Sequence, residues 1–286
     1  MKTIVVGTDL SERSDRAMSR AAMLAKQSGA TLHVLHVVDD ELPTSIAQEQ
    51  QKNVEALLNR QIANRGIGAD IKVEIHVVFG NSWSTLLDQV EVLGADLVVL
   101  GTHRSRGFLD RFRGTTIERV AASSPVPLLT VSEQASAPYQ RPLVGVDFSQ
   151  CACNAANLVA SIAPGHPVTF LNAYHIPYRT LTTRPTAGGE LSQRDKQRIE
   201  ASLKGEMTQF EESLNDDVTY EWLLVEGSPS AILDREARRL DADLVCVGPH
   251  ARSWLSKALL GSTAEQLLTD PPCDVLVTPL ARPALD

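Results

Sequence analysis

Leu97–Thr116 reads LVVLGTHRSRGFLDRFRGTT, and the order of its residue types sets the fold class. A short apolar run stops at Gly101, a loop with four arginines follows, and Gly114 leads into Thr115 and Thr116. That order fits a buried strand, a loop at its carboxyl end, and a helix whose first amides face a crevice. Uncommitted amides at a helix start, with hydroxyls beside them, favour anions, and phosphate is the first candidate. Strand, glycine loop and helix also occur where nothing binds, so the decision falls to the neighbouring sequence.

Working back from this stretch, Thr3–Gly7 reads as a buried strand, and Ser11 caps a helix that runs to Ser28 and stops at Gly29. Leu32–Val38 is a second strand, followed by a helix over Thr44–Arg65. Ile71–Val78 is a third strand, Gly80-Asn81-Ser82 opens a helix to Leu93, and Asp96–Leu100 enters the arginine loop. Beyond Gly114 a short helix reaches Ala122, and Val126–Val131 closes the unit. Apolar strands alternating with helices predict a parallel sheet covered on both faces, because parallel strands need crossover connections. Residues Glu133–Arg141 (EQASAPYQR) read as a linker.

The pattern then repeats. Leu143–Ser149 (LVGVDFS) repeats Val5–Ser11 (VVGTDLS) at an offset of 138. Ala242–Gly248 repeats Ala95–Gly101, and Gly261-Ser262-Thr263 repeats Gly114-Thr115-Thr116, both at an offset of 147. The difference of about nine residues falls in Ile176–Gly189, which reads as an extended loop. The chain is a tandem duplication, with a first domain over 1–135, a linker at 136–140 and a second domain over 141–286.

Composition narrows the function. Of the 286 residues 43% are hydrophobic and 22% charged, as in a globular protein with room for two cores. The net charge of −8 argues against a general binder of nucleic acid or anionic membrane. No apolar run reaches the roughly 18–20 residues of a membrane span, and Met1-Lys2-Thr3 leads straight into a strand instead of a signal peptide. Four cysteines form no disulfide framework, so a reducing cytoplasm is expected.

Taken together, the V-x-x-D-x-S segment after the first strand, the Ala-Asp-Leu-Val strand and the G-x2-G-x9-G-[ST] spacing resemble the universal stress protein family in its tandem form. The resemblance implies two α/β domains, each a five-stranded parallel sheet flanked by helices and related to other nucleotide-binding folds. It implies ATP or AMP as ligand, with magnesium as a companion to ATP. Carried over position by position, Asp9 and Asp147 would contact adenine or ribose hydroxyls, beside Gly7 and Gly145 at the strand ends. Val37 would lie near the base, Gly101 and Gly248 along sugar and phosphates, and Gly114-Thr115-Thr116 and Gly261-Ser262-Thr263 at the phosphate tail. The middle glycine of the spacing is Arg104 in one copy and Ala251 in the other. Ala251 adds one methyl group, whereas Arg104 would either block the crevice or bring a guanidinium to phosphate. Asp9 and Asp147 would also serve as ordinary helix-start residues.

Other candidates carry less. Arg104, Arg106, Arg111 and Arg113 form a basic patch or an ordinary solvated loop. Cys151 and Cys153 stand at a helix start, where a thiol pKa can fall, but a C-x-C pair does not supply four zinc ligands, and incidental cysteines are the simpler reading. His103 and His250 take equivalent places after the strand-end glycines without forming a triad, which favours ligand positioning over catalysis. His33 and His36 read as packed or surface residues of a strand. The expected molecule acts by binding, its two domains paired through Val126–Val131 and Asp274–Thr278 into a pseudo-dimer inside one chain. Pairing of two chains stays open, as do two rival functions, a nucleotide-independent scaffold and a slow nucleotide hydrolase.

Overall fold

A computed structural model describes residues 1–102, 115–174, 193–248 and 260–279. The first half contains β1 (Thr3–Gly7), α1 (Glu12–Ser28), β2 (Thr31–Val38), α2 (Thr44–Asn64), β3 (Val73–Phe79), α3 (Ser82–Val92), β4 (Leu97–Gly101), α4 (Thr116–Ser123) and β5 (Leu128–Val131). The second half repeats the order with β6 (Pro142–Gly145), α5 (Gln150–Ile162), β7 (Val168–Tyr174), α6 (Gln193–Glu211), β8 (Tyr220–Glu226), α7 (Pro229–Arg239), β9 (Leu244–Val247), α8 (Ser262–Thr269) and β10 (Asp274–Val277). The third strand begins two residues later than the sequence pattern predicts, at Val73, because the chain at Gly66 and Gly68 takes left-handed turns before it becomes extended. The strand at Val126 likewise shortens to Leu128–Val131, since Ser124 folds back to bond Val126. The expected loop Ile176–Gly189 lies outside the described residues.

The ten strands of the described residues form one sheet in the order β3-β2-β1-β4-β5-β10-β9-β6-β7-β8. Each half is parallel throughout, and the halves meet where β5 and β10 pair antiparallel. Leu129 sits opposite Leu276, its equivalent 147 residues later, with Leu128 against Val277 and Thr130 against Val275. A residue facing its own repeat marks a local twofold axis, so the expected pseudo-dimer is present and buries what would be an apolar edge in each half.

One apolar layer, with Ile4, Met18, Leu32, Leu58, Val144, Ala155, Ile162 and Phe170, runs across both halves on the face carrying α1, α2, α5 and α6. The opposite face holds two separate clusters, under α3 and α4 and under α7 and α8. The repeated Ala-Asp-Leu-Val segment has a structural purpose at its aspartate. The Asp96 carboxylate accepts the amides of Lys2 and Thr3, and that of Asp243 accepts those of Gln140 and Arg141, so each tethers the entry to its first strand.

The linker is pinned. Tyr139 is fully buried and donates its hydroxyl to Asp274 at 2.6 Å. Arg20 of α1 lies 3.3 Å from the same carboxylate, stacks 3.9 Å over the Tyr139 ring, and donates to the Ala137 carbonyl at 2.8 Å. Across the axis the repeat of Asp274 is Pro127, which has no carboxylate to offer.

Candidate functional site

In an open parallel sheet the ligand crevice lies beyond the carboxyl ends of the strands, where the chain reverses its direction of travel across the sheet. Here those points are β1/β4 and β6/β9, with Gly7–Asp9 opposite Gly101 and Gly145–Asp147 opposite Gly248. Val37 lies near the end of the adjoining β2, paired with Val78. The start of the helix that follows β4 or β9 belongs to the same end of the sheet.

The loop after the first strand is built alike in both halves. Leu10 and Phe148 adopt left-handed φ values of 64° and 59°, a costly conformation for residues with side chains. Each turns its apolar side chain into the adjoining core, while the preceding aspartate projects at the rim. Asp9 accepts the Ser11 amide at 3.0 Å and Asp147 the Ser149 amide at 3.1 Å, and each also accepts the serine hydroxyl. Ser11 and Ser149 then cap α1 and α5. Desolvation would push the Asp9 carboxyl up, yet the Ser11 hydroxyl and amide, helped by Ser14 and Arg13, hold it below its ordinary range. One oxygen of each aspartate is thus used in the turn, as the helix-start reading expects, and about 62% of the Asp9 side chain stays exposed.

A second pair of residues braces this loop. His36 Nδ1 donates to the Thr8 carbonyl and Asn172 Nδ2 to the Val146 carbonyl, both at 2.8 Å. They occupy the same register position, one residue past the partners of Gly7 and Gly145. His36 is therefore packed, as its sequence context predicts, with a positioning role that surfaces only when β2 is aligned with β7.

The remaining elements differ between halves. A Cβ on Gly101 would fall 2.4 Å from the Arg13 carbonyl oxygen, so α1 approaches β4 as closely as a bare backbone permits. At Gly248 the nearest atom is 3.4 Å away, the Cβ of Cys151, an ordinary contact. Gly7 and Gly145 accommodate the core side chains Leu100 and Leu233. Thr115 caps α4 in a reciprocal box, its hydroxyl accepting the Glu118 amide at 3.2 Å while Glu118 accepts the Thr115 amide at 2.9 Å. A carboxylate of the protein thus occupies the start of α4. The equivalent α8 starts one residue earlier, with Gly261 at the cap and no side-chain cap bond, so Ser262 and Thr263 form its first turn. Arg104, Arg106, Arg111, Arg113, His103, His250, Ala251 and Gly114 lie outside the described residues.

The cysteines are free. Burial drives Cys246 and Cys273 far above the ordinary thiol range and raises Cys153, which donates to the Ser213 carbonyl at 3.0 Å. The lowered thiol pKa that a helix start can produce is not found at Cys153, because burial raises it by more than the Asn157 hydrogen bond lowers it.

The sequence matches the model of the Universal stress protein family twice, over residues 1–132 and again over 138–279. The chain belongs to the universal stress protein family. Among curated universal stress proteins, Rv2005c of Mycobacterium tuberculosis (strain ATCC 25618 / H37Rv) is 28% identical over 290 residues, covering 93% of this chain and 92% of its own. Universal stress protein G of Salmonella typhimurium, 28% identical over 142 residues, covers 46% of this chain and 98% of its own, and so matches a single repeat. A universal stress protein from Archaeoglobus fulgidus DSM 4304 shares the fold over 97% of this chain and 98% of its own, with a TM-score of 0.70 at 18% identity. Among the described residues of this universal stress protein, no helix is long and apolar enough to cross a membrane.

Proposed function

We propose that this universal stress protein is a cytoplasmic binding and regulatory protein that holds ATP or AMP in its second half, with the first half as a structural partner. The observation that carries the reading is the contrast between helix starts. At the α4 start the Glu118 carboxylate is folded back onto the Thr115 amide, where it would repel a phosphate, whereas at the α8 start, which has Glu265 in its first turn, no side chain closes the cap at Gly261 and Ser262 and Thr263 flank the first amides. Two further features favour the same half. Among the described residues Gly248 has room where Gly101 has none, and the buried Asn172 Oδ1 beside the loop has no hydrogen-bond partner. There Gly145, Asp147 and Gly248 would line the adenosine, and Ala251, Gly261, Ser262 and Thr263 the phosphates, with magnesium accompanying ATP. The first-half set of Gly7, Asp9, Val37, Gly101, Arg104, Gly114, Thr115 and Thr116 would remain empty.

Calorimetry on the full chain tests this. One adenine nucleotide should bind per chain, Gly261→Val should weaken it by roughly tenfold or more, equivalent to about 1.4 kcal/mol, and Gly114→Val should change it little. Two equivalent sites would overturn the assignment to one half. An absence of binding, with no nucleotide released from the purified protein on denaturation, would leave the nucleotide-independent scaffold.

A further inference from the structure

Away from the crevice, three residues of the first half converge on one face of the sheet. His33 of β2 is level with Glu74 of β3, and His76 follows two residues later on β3. Strand alternation puts all three on the face where Leu35 and Val78 meet the α3 cluster. His33 Nδ1 lies 2.9 Å from His76 Nε2 and 3.5 Å from Glu74 Oε2, and His76 Nε2 is 4.0 Å from the same oxygen. The point in their plane equidistant from the three atoms is about 2.1 Å from each, within the bond lengths of about 2.0–2.2 Å that zinc makes to imidazole nitrogen and carboxylate oxygen.

We propose that His33, His76 and Glu74 form a binding site for a divalent transition ion of the zinc, nickel and copper group, with solvent completing the coordination. The chemistry of the donors selects the ion. Two imidazoles and one carboxylate suit a borderline cation, whereas magnesium and calcium favour all-oxygen shells. The surroundings suit it too. His33 is buried, which fixes its ring, while His76 and Glu74 are part-exposed and leave an approach for the ion and a water. Lys72 engages the other carboxylate oxygen, Oε1, at 2.6 Å, so Oε2 remains directed at the imidazoles. Such an ion would bridge β2 to β3, the outermost strand of this half.

The second half supplies an internal control. By register Thr169 stands where His33 does, with Glu221 and Leu223 in place of Glu74 and His76. There Thr169 Oγ1 simply donates to Glu221 at 2.9 Å. The glutamate persists without the imidazoles, and the strands still pair.

The test uses the full chain, freed of metal by chelator and titrated with zinc chloride in excess magnesium. Binding with one ion per chain and a raised melting temperature are expected. The substitutions His33→Thr and His76→Leu, which transplant the second half's residues, should each weaken zinc by more than the roughly tenfold to hundredfold that loss of an outer-shell partner costs. Cys151→Ser should leave it unchanged. On the unaltered chain, copper(II) should show hyperfine coupling to two imidazole nitrogens, a readout that survives even if a variant fails to fold. No zinc binding, zinc binding that persists in the folded double variant, or a copper spectrum without two nitrogens would each overturn the site.

Discussion

The two halves share a fold, a strand order and a first-strand loop matched to the level of single hydrogen bonds, yet differ wherever a ligand could matter. In the first half the crevice is tightened. α1 presses on Gly101 until no Cβ would fit, Glu118 occupies the helix start, and two histidines mark the far side of the sheet. Among the described residues of the second half the arrangement differs. Gly248 is loose, α8 is uncapped by side chains, and a threonine replaces the buried imidazole. Duplication supplied two equal frames, and the contrast shows that frame and site can diverge independently. Residues that hold the loop, such as Asp9 and Asp147 or His36 and Asn172, keep their hydrogen bonds, while the spacing around Gly101 and Gly248 and the caps of α4 and α8 differ.

Matched substitutions can break or sharpen this comparison. The largest effect is expected at the buried joint of Arg20, Tyr139 and Asp274. Asp274→Ala strands the buried Arg20 and Tyr139 and should cost about 3–5 kcal/mol in urea unfolding of the full chain. A cost near that of an ordinary surface change would mean that the halves are held by strand pairing alone. Next comes the glycine pair. Gly101→Ala should cost about 1–3 kcal/mol because the methyl meets backbone, and Gly248→Ala about 0.5 kcal/mol or less. Equal costs would erase the distinction between tight and loose crevices. The smallest concerns the helix starts. Thr115→Ala should lower stability by about 1 kcal/mol through loss of the cap, against a change within about 0.5 kcal/mol for Ser262→Ala. If Ser262→Ala costs as much as Thr115→Ala, both helices are capped alike and the second half has no special claim on an anion.

Much of this molecule was legible before any coordinates. The repeat offsets of 138 and 147 gave the duplication, and strand-helix alternation gave the parallel sheets. The offset of 147 also matches the residues, Leu129 and Leu276, that meet at the axis. These features are readable because periodicity and chain order encode them locally. The linker was less legible. EQASAPYQR has the composition of a solvated connection, and only the placement of Arg20 and Asp274 around Tyr139 turns it into a buried joint.

The helix starts define the boundary. Thr115-x-x-Glu118 and Ser262-x-x-Glu265 are the same capping pattern, and by sequence alone α4 and α8 should begin identically. Yet one cap is Thr115 and the other Gly261. A cap is worth about 1 kcal/mol, small beside the burial of Leu267 and Leu268 against the sheet, so packing decides where α8 starts. His33, Glu74 and His76 make the same point, since some forty residues separate His33 from the other two and only the register of β2 against β3 brings their ligand atoms together. The sequence determined the frame, because its signals are short-range and repeated. Tertiary structure decided how closely α1 approaches Gly101, how α4 and α8 are capped and where the imidazoles meet, because those outcomes turn on non-local contacts of a few ångströms.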